Sequence, residues 1–157
     1  SMRREDEEIV RLENPVSENY TVVRDMLLPQ IVELFSRNTH TEYPQRLFEV
    51  GEVVLKDDKS PEKTESKKKI AGATAGIDAN YTRARGELEG VLESMDLEDY
   101  EIKKEERPYF LKGRSAKILY KGKVVGYIGE VHPECLNFYG IEVPIAAFEL
   151  DLSFLEK

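Results

Sequence analysis

Gln45-Arg46-Leu47-Phe48-Glu49-Val50-Gly51-Glu52-Val53-Val54-Leu55 is followed by Lys56–Lys69, KDDKSPEKTESKKK, and then by Ile70-Ala71-Gly72-Ala73-Thr74-Ala75-Gly76-Ile77. In the first stretch Leu47, Glu49, Gly51, Val53 and Leu55 alternate with Phe48, Val50, Glu52 and Val54. That is the period of a strand with one mostly apolar face. Gly51 marks a bulge or a close backbone approach. The middle stretch has no aliphatic or aromatic side chain, so 56–69 reads as a solvated hairpin tip or flexible loop. The third stretch reads as a buried strand of small residues that lets a helix pack closely on a sheet. No Gly-Lys-Ser/Thr follows it, so it is not a phosphate-binding loop.

Working outward, Ile9–Glu13 looks like a short strand stopped by Asn14-Pro15, because proline lacks a ladder donor and restricts its predecessor. Ser17 suits an N-cap with Glu18 in the first turn. Tyr20, Val23, Leu27, Leu28, Ile31, Leu34 and Phe35 recur at helical spacing. An interior Pro29 costs about 3 kcal/mol or more, so two helices are expected, the second starting near Pro29. Downstream, the pattern predicts a helix over 82–95 with Leu88, Val91, Leu92 and Met95 on one stripe. A strand over 100–105 follows, then strands 116–120 and 124–131 around a Lys121-Gly122-Lys123 turn. Pro133 opens a short helix through Phe138, and 144–152 is the last strand. Hairpins dominate this order, which implies an α+β fold with a mostly antiparallel sheet flanked by helices.

Composition narrows the function. The chain has 157 residues, enough for one domain, with 40% apolar and 34% charged side chains. A formal net charge of −8 argues against a broad phosphate-binding face. No apolar run reaches the length of a membrane span. A single cysteine, Cys135, permits no intramolecular disulfide and fits a reducing, cytoplasmic setting. Ser1-Met2 has the look of a pair added in cloning, so the natural chain is expected to begin upstream.

Few residues suggest chemistry. His132 and Cys135 could share a helical face as a nucleophile–base or metal pair. The plainer reading is a capping histidine beside a buried cysteine, since no further Cys or His would complete a site. Glu149 and Asp151 point to one side of a strand and could hold Mg²⁺ or do acid–base work, or simply form a solvated strand face. Glu49 and Glu52 fall on opposite faces and make a poor pair. Arg114, after Gly113, could grip an anion or make an ion pair that holds its loop.

Five motifs in order go further. Asn14-Pro15-Val16-Ser17-Glu18-Asn19-Tyr20-Thr21-Val22-Val23-Arg24 with Leu27-Leu28-Pro29 resembles the N-P-x-S-x-x-Y-x-x-x-R…L-L-P segment of phenylalanine–tRNA ligase beta subunits. Gln45–Val53 resembles that family's (R)-x-F-E-[IV]-G-x-V strand. Phe110–Ala116 resembles its F-x-x-G-R-x-A turn, Gly126–Glu134 its G-x-x-G-x-[IVL]-H-P-E, and Ala147–Leu152 its closing F-E-[IL]-[DN]-[IL]. The stop soon after Leu152 is similar to the archaeal and eukaryotic type.

The resemblance implies a class II aminoacyl-tRNA synthetase-like module over 3–157. Its first interface motif, the editing domain and the domain carrying the family's Mg²⁺ site would lie upstream. It implies an alpha subunit that carries the active site in an alpha2beta2 heterotetramer, with ATP, Mg²⁺ and tRNA(Phe) used by the holoenzyme. It implies no catalytic, cofactor or metal residue here. Asn14, Pro15, Tyr20, Arg24, Pro29, Gly51, Phe110, Gly113, Arg114, His132 and Pro133 become structural or interface candidates. Class II catalysis needs an arginine in the second motif, where Phe48–Leu55 offers Glu52 and Leu55. It also needs a Gly-rich strand leading to arginine in the third motif, which Phe148–Leu152 lacks. The expected role is therefore non-catalytic assembly; the alternative is a stand-alone small-molecule or nucleotide-binding domain.

Overall fold

The computed structural model describes residues 3, 10–11 and 22–156. Among them run β1 (Val10–Arg11), β2 (Val22–Val23), α1 (Leu28–Arg37), β3 (Gln45–Lys56), β4 (Thr64–Ala75) and α2 (Tyr81–Ser94). Then come β5 (Tyr100–Lys104), β6 (Phe110–Tyr120), β7 (Lys123–Val131), α3 (Pro133–Phe138) and β8 (Ile145–Asp151), closed by a 3₁₀ turn at Ser153–Glu156. β1 and β2 form a small antiparallel pair; the rest make one six-stranded antiparallel sheet in the order β3-β4-β8-β7-β6-β5. This is the expected α+β architecture.

Because side chains alternate along a strand, the sheet serves two helices. On one face Leu28, Ile31, Val32 and Phe35 of α1 pack with Ala71, Ala73, Ala75 and Ala147. The small side chains of β4 and β8 let the helix lie close, as the composition of 70–77 suggests. On the other face Ala84, Leu88 and Leu92 of α2 pack with Ile118, Ile128, Phe148 and Leu150. Each fully buried Leu, Ile or Phe contributes roughly 1.5–3 kcal/mol. Asn80 starts α2, its side chain accepting from Arg83 N at 2.9 Å. At Lys121-Gly122 both residues have positive φ, 50° and 81°, the two-residue turn that suits strand twist.

Four expectations need correction. Val22 and Val23 belong to a strand paired with Arg11 and Val10, not to a helix begun at Ser17, which lies outside the described residues. Two adjacent β-branched residues favour extended backbone, and α1 starts at Leu28 with Pro29 in its first turn, where no amide bond is lost. The loop expected over 56–69 is a seven-residue turn at 57–63, since pairing runs unbroken to Lys56↔Thr64. A ladder supplies its own backbone partners, and Glu52 opposite Lys68 adds opposite charges, so no apolar face is needed there. Gly51 is not a bulge, because the register passes through it to Lys69. The F-x-x-G-R segment lies within β6, which begins at Phe110 rather than Ala116; register shifts fall between Phe110 and Ser115 and between Ile118 and Leu119.

Candidate functional site

Beside the N-terminus of α1, the sheet face opens into a half-open cavity of about 590 Å³. Its charged lining comes from Asp25, Lys56, Lys69, Arg107, Glu149 and Asp151, with Met26, Leu55, Tyr109 and Tyr127 between them. Each strand puts alternate residues there: Glu149 faces Ala71 on β4 and Tyr127 on β7, and Asp151 faces Lys69.

Glu149 is buried, and its carboxylate accepts from the amides of Leu27 at 2.6 Å and Leu28 at 3.3 Å. Those are amides of the first turn of α1, whose N-cap, Leu27, has no side-chain acceptor. A carboxylate at a helix N-terminus also meets the positive end of the helix dipole. Lys69 Nζ stands 3.8 Å away as its counter-charge, and also donates to the Asp25 carbonyl at 3.4 Å. Burial still pushes the Glu149 carboxyl above its ordinary range, against the pull of Lys69 and the two amides. Asp151 has a different circle: Lys67 Nζ at 3.0 Å and the Ser153 amide at 2.8 Å. Burial raises its pKa, but bonds from Ser153 and Lys67 outweigh burial and leave it lowered. The Arg107 guanidinium lies over the Tyr127 ring, 4.2 Å from its centroid, a cation–π contact.

The two carboxylates, read as a possible pair or a solvated strand face, serve separate partners, and Glu149 is buried because it caps α1, so the face is not a solvated one. Among the described residues no group of three or more His, Cys, Asp or Glu could hold a metal ion. Glu149 and Asp151 are each answered by a lysine and by backbone amides, and do not converge on one point.

The resemblance-derived candidates fall into two clusters. Arg24 lies across Gly51: its Nε donates to Glu52 O at 2.8 Å, and its Nη1 to Glu49 Oε1 at 2.9 Å and Gln30 Oε1 at 2.6 Å. A Cβ on residue 51 would sit 2.5 Å from Arg24 Nη2, so the close approach that requires glycine is by a side chain. Pro29 is one turn away at the start of α1. The second cluster gathers at the far end. Phe110 packs over Gly129, where a Cβ would meet its ring at 2.6 Å, and Gly113 has φ +78°. Arg114 pairs with Glu130 at 3.1 Å, an ion pair between β6 and β7 and not one that holds a loop. His132 N-caps α3: its Nδ1 accepts from Glu134 N at 3.1 Å, with Pro133 next. Cys135 is fully buried and burial raises its thiol pKa, which disfavours a thiolate nucleophile. Asn14, Pro15 and Tyr20 lie outside the described residues.

Sequence reasoning missed Lys56, Lys69 and Arg107. The class II comparison sought an arginine after Gly51, whereas Arg107 enters the cavity from the segment before β6. The period-2 pattern could have placed Lys69 two residues before Ala71 on the same face, had the strand been extended into the charged run.

The six-stranded antiparallel sheet with helices on both faces is that of a class II aminoacyl-tRNA synthetase-like module, by fold likeness and by family match. The fold is similar to that of a pyrrolysyl-tRNA synthetase, PylSc of Desulfitobacterium hafniense, with a TM-score of 0.75 over 95% of this chain and 52% of that one. The 16% identity speaks to the fold alone. Residues 1–152 match the family model of the phenylalanyl-tRNA synthetase beta chain CLM domain, and the chain belongs to that family. It is similar to phenylalanine–tRNA ligase beta subunits of Pyrococcus abyssi (46% identical over 94% of this chain) and Thermococcus kodakarensis (44% over 93%). The beta subunit of Methanocaldococcus jannaschii is 38% identical over 96% of the chain. The chain spans about a quarter of the length of these relatives, 26%, 25% and 27% in turn.

Proposed function

We propose that this module is a non-catalytic assembly element of a phenylalanine–tRNA ligase beta subunit. Its work is to support an alpha subunit that joins phenylalanine to tRNA(Phe) with ATP and Mg²⁺, in an alpha2beta2 complex in the cytoplasm. The observation that carries this reading is Glu149. In a catalytic cavity a carboxylate of this kind would face substrate; here it holds the first turn of α1 and is neutralised by Lys69. The Arg24–Gly51 and Phe110–Pro133 clusters are proposed as structural positions that keep the module in shape.

Two measurements test this. Phenylalanine-dependent ATP–pyrophosphate exchange by this chain alone should be at background; exchange above background would overturn the silent reading and favour a stand-alone nucleotide-binding enzyme. Co-expression of the full-length beta subunit with alpha should give a stable complex that dissociates when this module is deleted. A complex indifferent to that deletion would remove the assembly role.

A further inference from the structure

We propose that β3 is a pairing edge through which two copies of this chain associate about a two-fold axis at Phe48. The sheet has two edges, β3 and β5, and they are built differently. β5 has five residues, Tyr-Glu-Ile-Lys-Lys, short and charged as protected edges are. β3 has 12 residues, no proline and no bulge, and carries Phe48 and Val50 at 53% and 55% exposure on its solvent face.

The outward backbone groups of β3 are partly spoken for. Val54 N donates to Arg24 O at 2.9 Å, and Glu52 O accepts from Arg24 Nε at 2.8 Å. Both residues are even-numbered, so by strand alternation the N–H and C=O of Arg46, Phe48 and Val50 also point away from β4. Among the described residues the open ladder is thus five residues long, bounded by Pro44 before it and by the Arg24 seal after it, with Phe48 at its centre. A strand that pairs antiparallel with itself needs a self-complementary stretch of this kind, which is what a two-fold interface demands.

The symmetry fixes the register. Phe48 faces Phe48, and Arg46 faces Val50 twice, so all six open backbone groups find partners. On the solvent face the two phenyl rings meet at the axis, and Arg46 lies diagonally beside the partner's Glu52, an opposite charge within reach. The same register keeps Glu49 away from its own copy, because Glu49 faces Leu47. A pairing slipped by two residues, with Phe48 facing Val50, would set Glu49 against Glu49.

Sedimentation of this chain over a concentration series up to about 1 mM, the weak end of specific association, reads the result. A monomer–dimer equilibrium is expected. Val50→Lys puts a cation opposite Arg46 twice per dimer and should weaken it about tenfold. Val50→Glu puts an anion there and should hold or tighten it, although it removes the same apolar surface. Glu101→Lys on the β5 edge should change nothing, and thermal melts confirm that each variant folds. With Cys135 buried, Phe48→Cys and a short bismaleimide should give a covalent dimer in good yield. A chain monomeric throughout the range overturns the proposal, as does a dimer that Val50→Lys and Val50→Glu weaken alike or that neither affects.

Discussion

β8 shows two chemistries on the two sides of one strand. Ala146, Phe148 and Leu150 face α2 and belong to its apolar cluster, while Ala147, Glu149 and Asp151 face α1 and carry two charges into a cavity. The difference teaches where the constraint on sequence lies. On the α2 side any set of side chains of the right volume would close the core. On the α1 side Glu149 and Asp151 each have specific partners, and exchanging one leaves another polar group stranded. The comparison can be broken from either side.

The largest effect is expected on the apolar side. Phe148 is fully buried, and its ring and that of Phe48 flank Gly72, where a Cβ would meet either at 2.7 Å. Phe148→Ala should destabilise the fold by about 3–5 kcal/mol in urea denaturation, a transfer loss plus a cavity. A loss below about 1 kcal/mol would mean the site collapses and that packing here is not specific.

Glu149→Ala should come next, at about 2–4 kcal/mol, because it strands two buried amides and Lys69 together. Glu149→Gln keeps an acceptor for Leu27 and should lose less. The sign with pH is informative. The carboxyl pKa is raised in the fold, so the folded state holds the proton more tightly than the unfolded chain. Its contribution is therefore greatest at or below the ordinary carboxylate range and declines as pH rises through the raised value. Urea midpoints taken across that range should show this decline in the parent and lose it in Glu149→Gln.

How much of this was legible follows from the physics of each feature. The hairpin of β3 and β4 was readable because a period of two is a local property, and the small residues of 70–77 announced close helix packing. Motif order announced the family. The extent of β4 was not readable, since a ladder of Lys, Ser and Glu carries no hydrophobic pattern. The spacing of Tyr20, Val23 and Leu27 fits a helix, while the pairing of Val22-Val23 with Val10 and Arg11 is tertiary and leaves no local pattern. Glu149 as a helix cap was invisible for the same reason: it lies 122 positions from Leu27. A glycine inside the β3 pattern announces a close approach or a bulge, yet only the structure names the Arg24 side chain that needs the room.

That room supplies a third test. Arg24 gives three charge-assisted bonds to β3 and α1, so Arg24→Ala should cost about 1–3 kcal/mol. Gly51→Ala should also destabilise the parent, since its Cβ would strike the guanidinium. In the Arg24→Ala background the same change should be nearly harmless, leaving a coupling energy of about 1 kcal/mol or more in a double-mutant cycle. Additive losses would mean that the glycine serves the backbone and not the arginine.

The smallest effect belongs to Asp151, and it sharpens the contrast within one face. Asp151→Asn keeps an acceptor for the Ser153 amide and loses only the pair with Lys67, whose side chains are 26% and 20% exposed, so about 1 kcal/mol or less is expected. The direction with pH is opposite to that of Glu149. Here the folded pKa is lowered, because bonds from Ser153 and Lys67 outweigh burial. Stability from Asp151 is present above the ordinary carboxylate range and is lost as pH falls through the lowered value. Between acid and neutral pH the two carboxylates therefore pull the stability curve in opposite senses, although they stand two residues apart on one strand. Asp151→Asn should remove the loss on the acid side and leave the decline attributed to Glu149 in place, and removing both charges should flatten the curve. If Asp151→Asn instead leaves the pH profile unchanged, the ion pair with Lys67 contributes nothing measurable, and the charged side of β8 rests on Glu149 alone.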